Sequence, residues 1–128
     1  NTDDRLHPKT TVVGVIAGDT ARAYPFPAVE EAGALVTDTV GSLPVVVVTT
    51  PGSSLAAYDR RVDGEPLRFE ADGDAMAAGG STWNPVSGTA RSGPHEGTTL
   101  ARANDRSPMF WFAWADFHPE TEIYGKST

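Results

Sequence analysis

Cysteine is absent from the 128-residue chain. Without thiols the chain cannot form disulfides, zinc–thiolate sites, iron–sulfur clusters, blue-copper centres or a cysteine nucleophile. Long apolar runs are also missing, since no stretch approaches the ~20 residues that a membrane-spanning helix needs. We therefore expect these residues to make no direct membrane insertion.

Lysine is scarce: only Lys9 and Lys126 occur, beside eight arginines. Seventeen acidic residues outweigh the ten basic ones, which gives a formal net charge of -7 and a sequence pI near 4.7. Such a surface repels nucleic-acid phosphates and anionic lipid headgroups, so neither is an expected partner. An acid-rich, lysine-poor surface is favoured at high salt, which screens its self-repulsion. The composition therefore predicts a halophilic protein.

Thirteen glycines and ten prolines supply many turn formers, which favour short strands over long helices. The β-branched and alternating segments predict strands at 10–17, 21–24, 34–40, 44–50, 55–62, 65–71, 81–83, 89–91 and 122–124. Four consecutive valines, 45–48, indicate a strand covered on both faces. Asp63-Gly64 predicts a hairpin with a type I′ turn, and residues 72–80 are expected to form a flexible loop. The fold predicted is a small antiparallel β-barrel or sandwich, residues 10–126, after a lead-in of residues 1–9.

Two short helices are predicted, at residues 27–32 and 108–117. In the second, Ser107 is the expected N-cap, and Pro119 forces the helix to stop by His118. Phe110, Trp114 and Phe117 share one helical face, which Trp111 widens. This face is interpreted as a plug that closes the core, with an aromatic platform for a ligand as the alternative.

Candidate metal ligands are scattered along the chain. His95 and His118 with a carboxylate such as Asp116 could assemble a site only through the fold, since no histidine pair has the spacing of a helical or hairpin site. The alternative interpretation is that neither histidine binds a metal: His118 lies at a helix C-terminus and His95 in an exposed loop. No cofactor is expected.

Candidate binding residues lie around the Asp63-Gly64 hairpin. The arginines could receive an anion, or Arg60 and Asp59 could form a buried structural pair. The candidate ligand-binding set is Arg60, Arg61, Arg68 and Trp83. Two further motifs are interpreted as turns: Ser53-Ser54 matches no catalytic serine motif, and the sequence Asp72-Gly73-Asp74 lacks the rest of a calcium loop. No catalytic residue is therefore assigned.

Five segments, taken in their order along the chain, resemble domain-of-unknown-function family 3179. They are TVVGVIAGDTARAYPFPAV, VTDTVGSLPVVVVTT, AAYDRRVDGEPLRF, STWNPVSGTARSGPHEGTTL and WADFHPETEIYG. The family's motif elements fall at Gly18 to Pro25, Val36 to Gly41, Tyr58 to Gly64, Trp83 to Pro94 and Trp114 to Thr121. The resemblance covers nearly the whole chain and implies a similar fold. The lysine-poor composition looks like a haloarchaeal version, expected to be one domain of a longer exported or membrane-tethered protein.

The chain departs from the family at one place. Family members usually carry a Cys-Pro-Leu-Cys-Gly-Ser-like motif after the valine strand, where this chain has Thr49-Thr50-Pro51-Gly52-Ser53-Ser54. An activity that depended on that thiol pair could not be shared. We expect a non-catalytic extracytoplasmic binding or assembly domain with a protein or small-molecule partner. The alternatives are a metal-handling or redox accessory domain that uses histidines and carboxylates, and a hydrolase.

Overall fold

A computed structural model of the protein describes residues 5–104 and 106–125; residues 1–4 of the predicted lead-in and residue 126 of the predicted domain lie outside this range. The described part contains thirteen short strands and two short helices. In chain order they are β1 Thr11–Ala17, β2 Thr20–Pro25, α1 Phe26–Glu31, β3 Leu35–Val40, β4 Leu43–Thr50, β5 Ser54–Asp59, β6 Arg61–Val62, β7 Glu65–Pro66, β8 Glu70–Asp72, β9 Ala75–Ala78, β10 Ser81–Trp83, β11 Ala90–Ser92, β12 Met109–Phe110, α2 Trp111–Phe117 and β13 Glu122–Ile123.

The strands form four small sheets in the described residues. Their orders are β12-β1-β2-β13, β11-β10-β9-β8, β3-β4-β5 and the pair β6-β7. Every pairing between strands is antiparallel except that of β13 with β2. None of the sheets closes into a barrel, and the mainly β, sandwich-like fold confirms the predicted class in its sandwich form.

The valine strand β4 lies at the centre of the molecule. Val46 and Val48 pack into a cluster with Met76 and Trp83, whereas Val45 and Val47 pack into a second cluster. Successive side chains of a strand point to opposite faces, so β4 contributes to both clusters at once. The prediction of a strand covered on both faces is confirmed.

A third cluster joins α2 to the first sheet. Trp111 and Trp114 are fully or almost fully buried there against Val12 of β1. Gly14 makes this approach possible, because a β-carbon at that position would overlap the six-membered ring of Trp114. Within the described residues, no helix is long and apolar enough to cross a bilayer.

The start of the second helix differs from the prediction. Residues 109–110 pair with β1 as the edge strand β12, so α2 begins at Trp111. Its N-cap is Phe110, without a side-chain cap, and the Trp111 backbone N–H donates instead to the carbonyl oxygen of Thr10 at 2.7 Å. The predicted Ser107 N-cap is therefore wrong, whereas the stop at His118 is confirmed. The strand also turns Phe110 outward, and Phe117 is exposed, so the predicted apolar stripe is reduced to its tryptophans.

The hairpin region is more broken than predicted. Asp63 and Gly64 both have positive φ, 53° and 80°, as the type I′ turn requires. The predicted strand 65–71 is interrupted after Pro66: the Leu67 N–H still donates to the Arg60 carbonyl oxygen at 2.8 Å, but the Arg60 N–H donates to Pro44 of β4 and ends the ladder. Residues 70–72 instead pair with residues 75–78. The predicted flexible loop 72–80 is therefore wrong, because most of it belongs to the β8–β9 hairpin and Met76 there is buried.

Candidate functional site

Four polar side chains meet between β2, β3 and β13, and we call them the Asp38 cluster: Arg22, Tyr24, Asp38 and Glu122. Arg22 donates to the Asp38 carboxylate at 2.9 Å and to that of Glu122 at 2.8 Å. The buried Tyr24 hydroxyl donates to the same Asp38 oxygen at 2.7 Å. Arg22 therefore joins β2 to β3 through Asp38 and to β13 through Glu122.

The electrostatics of the Asp38 cluster follow from these contacts. Burial, reinforced by the hydrogen bond to Asp38, raises the pKa of the Tyr24 hydroxyl well above its usual value. Burial alone would lower the pKa of Arg22, but the hydrogen bond to Glu122 and the charge of Asp38 outweigh it and raise that pKa. Both groups are held in the protonation state they already have at neutral pH. The arrangement is that of a structural tie, not of an acid–base pair poised to exchange a proton.

Arg60 adds a second tie beside this cluster. Its guanidinium donates to the backbone carbonyls of Val45 at 3.0 Å, Leu67 at 3.2 Å and Asp38 at 3.3 Å. The expected pair between Arg60 and Asp59 is wrong, because Asp59 pairs with Arg61 at 2.6 Å. The hydrogen bond from Arg61 is the main reason that the pKa of Asp59 lies below its usual value.

The predicted binding residues do not share one surface role. Arg60 donates its hydrogen bonds to backbone carbonyls, and Arg61 forms an ion pair with Asp59. Arg68, in contrast, is exposed. Trp83 has no exposed surface, and its ring N–H donates to the carbonyl oxygen of Ala78 at 3.1 Å. In this structure Trp83 is a core residue with no face open to a ligand.

The three candidate metal ligands are not brought together. The His95 ring packs near Trp83, with centroids 5.8 Å apart, and the His118 ring lies 4.1 Å from that of Trp114. Asp116 is exposed on α2. Among the residues that the structure describes, no group of three or more histidines and carboxylates is placed to hold a metal ion.

One cavity, which we call the Asp74 cavity, opens between the valine sheet and the β8–β9 hairpin. It has a volume of about 270 Å³. The lining comes from residues 34–35, 48–51, 71, 73–76 and 85.

The lining of the Asp74 cavity combines apolar walls with few polar groups. Leu35, Val48 and Met76 supply hydrocarbon and thioether surface, and Thr50, on the same face of β4 as Val48, supplies a hydroxyl. Asp74 is the sole ionisable side chain among these lining residues. A concave, mostly apolar pocket with a few convergent polar groups is the usual form of a small-molecule site.

Sequence reasoning missed Asp74 as a site residue because it treated Asp72-Gly73-Asp74 as a solvated turn. Gly73 and Asp74 are the two loop residues between the paired Asp72 and Ala75. Gly73 has a φ of 59°, the left-handed value that a glycine adopts without strain at the first position of a two-residue hairpin loop. The Gly-Asp pair between short alternating segments was the available signal.

A second surface is aromatic. Phe110, Phe112 and Phe117 are 44%, 55% and 60% exposed, and a groove of about 380 Å³ runs beside the first two along Pro108 and Met109. The groove contains no ionisable residue. The aromatic platform for a ligand therefore stays a prediction for the phenylalanines, whereas Trp111 and Trp114 are core residues.

These features define a class of protein: a small, mainly β, sandwich-like fold with a hydrogen-bonded polar cluster and a cavity lined in part by Asp74. Residues 1–121 match the family described as "Protein of unknown function (DUF3179)", and the chain belongs to that family. The resemblance stated from its motifs is thereby confirmed. No curated protein and no solved structure matches the chain significantly.

Proposed function

We propose that the protein is a non-catalytic binding domain and that the Asp74 cavity holds its ligand. The observation that carries this proposal is the cavity lining, which has one carboxylate and no second acid, base or thiol beside it. General acid–base or covalent catalysis needs a positioned partner for the reacting group. A lone carboxylate beside a hydroxyl and apolar walls suits recognition without bond-making.

The hydrogen bonds already made within the Asp38 cluster and by Arg60 support the same proposal. Tyr24 and Asp38 satisfy one another, and Arg60 is tied to backbone carbonyls. Such groups stabilise the fold and have little capacity left for a substrate. The Asp74 carboxylate, by contrast, has no hydrogen-bond partner within the described residues and is available to a ligand.

We propose further that the domain works at high salt and outside the cytoplasm. The net charge of -7 and the two lysines support the first part. The second part rests on the family resemblance. Thermal unfolding measured from low salt to molar KCl tests the salt adaptation: we expect the melting temperature to rise with KCl, and a melt insensitive to salt contradicts it.

A fragment screen followed by backbone amide NMR tests the cavity. We expect some small organic molecules to bind saturably and to shift the amide signals of residues 49–50 and 73–76. The variant Ala71→Trp, which places an indole in the cavity lining, should abolish these shifts. Ala101→Trp, at an exposed alanine outside the lining, is the matched control and should leave them intact. If no fragment shifts these signals, or if Ala71→Trp has no effect, the proposal is wrong.

A further inference from the structure

We infer that the Asp74 cavity selects a compact alkylammonium ion, that is, a small molecule with one protonated amine and an apolar body. This inference rests on the proposed function and adds the chemical class of the ligand. It starts from the charge of the lining. Asp74 is the sole ionisable lining residue, and within the described residues no hydrogen bond or ion pair joins its carboxylate to another group.

An unpaired carboxylate beside an apolar wall favours a cation over other ligands. An anion would be repelled, and a neutral ligand would have to displace water from the carboxylate without replacing the charge interaction. Arg22 and Arg60 are already held by Asp38, Glu122 and backbone carbonyls. The charge of Asp74 is therefore left to be balanced by solvent ions or by a ligand.

The hydroxyl of Thr50 favours a protonated amine. Thr50 lines the cavity on the same face of β4 as Val48, and its side chain makes no hydrogen bond within the described residues. A hydroxyl oxygen accepts from an N–H donor, and an ammonium group carries up to three such donors. The Asp74 carboxylate and the Thr50 hydroxyl thus match two donors of one ammonium group in sign.

The remaining walls set the size and character of the rest of the ligand. Leu35, Val48, Met76 and Pro85 offer apolar surface. The volume of about 270 Å³ lies just below the range of about 300–1,000 Å³ that is usual for small-molecule pockets. The cavity is thus suited to a short branched alkyl group and is too small for most of the cofactors and oligomers that larger pockets hold.

Three probes of nearly equal shape test this inference: isopentylammonium, isopentanol and 4-methylpentanoate. Each is titrated into the folded protein at about 0.2 M KCl, where surface charges still act over ~7–8 Å, and binding is followed by the amide signals of residues 73–76. We expect the ammonium ion to bind at least tenfold more tightly than the alcohol, and the carboxylate to show no saturable binding.

Two matched variants isolate the role of the carboxylate. Asp74→Asn should weaken isopentylammonium about tenfold while leaving isopentanol unchanged. Asp72→Asn removes the same charge from the same hairpin, outside the lining, and should change the affinity less than twofold. Equal weakening by both variants would show a general field effect and would overturn the inference.

The outcomes separate this inference from the proposed function. If isopentanol or 4-methylpentanoate binds the cavity as tightly as the ammonium ion, and Ala71→Trp blocks it, the cavity binds ligands but does not select cations. If none of the probes and no fragment binds in a manner that Ala71→Trp blocks, the binding function itself fails. Tight isopentylammonium binding that is lost in both Ala71→Trp and Asp74→Asn supports both.

Discussion

Two carboxylates of this protein have opposite surroundings. Asp38 receives hydrogen bonds from Arg22, from the Tyr24 hydroxyl and from the backbone N–H of Thr39. Asp74 lies on a hairpin loop, lines a cavity and has no such partner within the described residues. The same functional group therefore stabilises the fold in one place and is available to a ligand in the other.

The comparison also separates two regions of the chain. Arg22 and Tyr24 of β2 contact Asp38 of β3, and Arg22 also contacts Glu122 of β13, so this cluster joins three strands. None of these four residues lines the Asp74 cavity, whose wall includes residues 49–51 instead. The residues that join the strands are therefore not the ones among which we place the ligand.

The largest expected effect follows from removing each carboxylate in turn. Asp38→Ala leaves the Arg22 guanidinium and the buried Tyr24 hydroxyl without their main acceptor, and we expect it to lower the free energy of unfolding by about 3 kcal/mol. Asp74→Ala should change it by less than about 0.5 kcal/mol, as surface substitutions usually do. Urea unfolding of both variants measures the difference. Equal losses would erase the distinction between the two sites.

Arg60 gives the next largest effect. Truncation by Arg60→Ala leaves the carbonyls of Val45, Leu67 and Asp38 without this donor, and we expect a loss of about 2 kcal/mol in unfolding free energy. Arg68→Ala, at an exposed arginine of the same region, is the control and should be nearly neutral. If the two variants unfold at the same urea concentration, Arg60 is a surface residue in solution and its structural role is wrong.

Much of this architecture could be predicted from local patterns. Neighbouring residues alone predict the strand at the valine run 45–48, through side-chain alternation, and the Asp63-Gly64 turn, through positive φ. The start of α2 could not be predicted in this way, because Met109 and Phe110 become a strand only through pairing with Thr11 and Val12, almost a hundred positions earlier. Tertiary contacts outweighed the helical pattern there.

The candidate sites were harder to predict for the same reason. Arg60 and Asp59 are neighbours in sequence, yet the fold gives Asp59 to Arg61 and directs Arg60 to three carbonyls. The Asp38 cluster combines residues 22, 24, 38 and 122, and their spacing in the sequence does not predict that they meet. Asp74 carries a hairpin signal but no sign of the cavity, which depends on how separate sheets pack.

Tyr24 gives a smaller, pH-dependent effect. Its folded-state pKa lies above the unfolded value of about 10, so its stabilising contribution is fully present below pH ~10 and is lost as the pH rises further. Burial raises the pKa of Tyr58 in the same direction. We expect the wild-type unfolding free energy to fall above pH ~10 by up to about 1.4 kcal/mol per pH unit for each of these tyrosines.

Tyr24→Phe tests that assignment. The variant should lose about 1.5 kcal/mol at neutral pH, where the hydrogen bond to Asp38 is removed. It should also show a shallower alkaline decline than the wild type, with Tyr58→Phe as the companion variant that removes the other contribution. Urea unfolding between pH 8 and 11 measures both effects. An unchanged alkaline slope would mean that Tyr24 is not the titrating group.

The smallest effect concerns the loop that presents Asp74. Gly73 has a φ of 59° and its absent β-carbon would meet no atom within 4 Å, so Gly73→Ala introduces backbone strain without a steric clash. We expect a stability loss of about 1 kcal/mol. Gly73→Asn should lose less, because asparagine tolerates positive φ. If the loop geometry positions the carboxylate, Gly73→Ala should weaken the binding of isopentylammonium more than Gly73→Asn does. Both titrations are carried to saturation of the folded protein, so that the two affinities can be compared. Equal affinities would show that Asp74 reaches its ligand from a flexible loop. The two carboxylates would then differ in the rigidity of their backbone as well as in their hydrogen-bond partners.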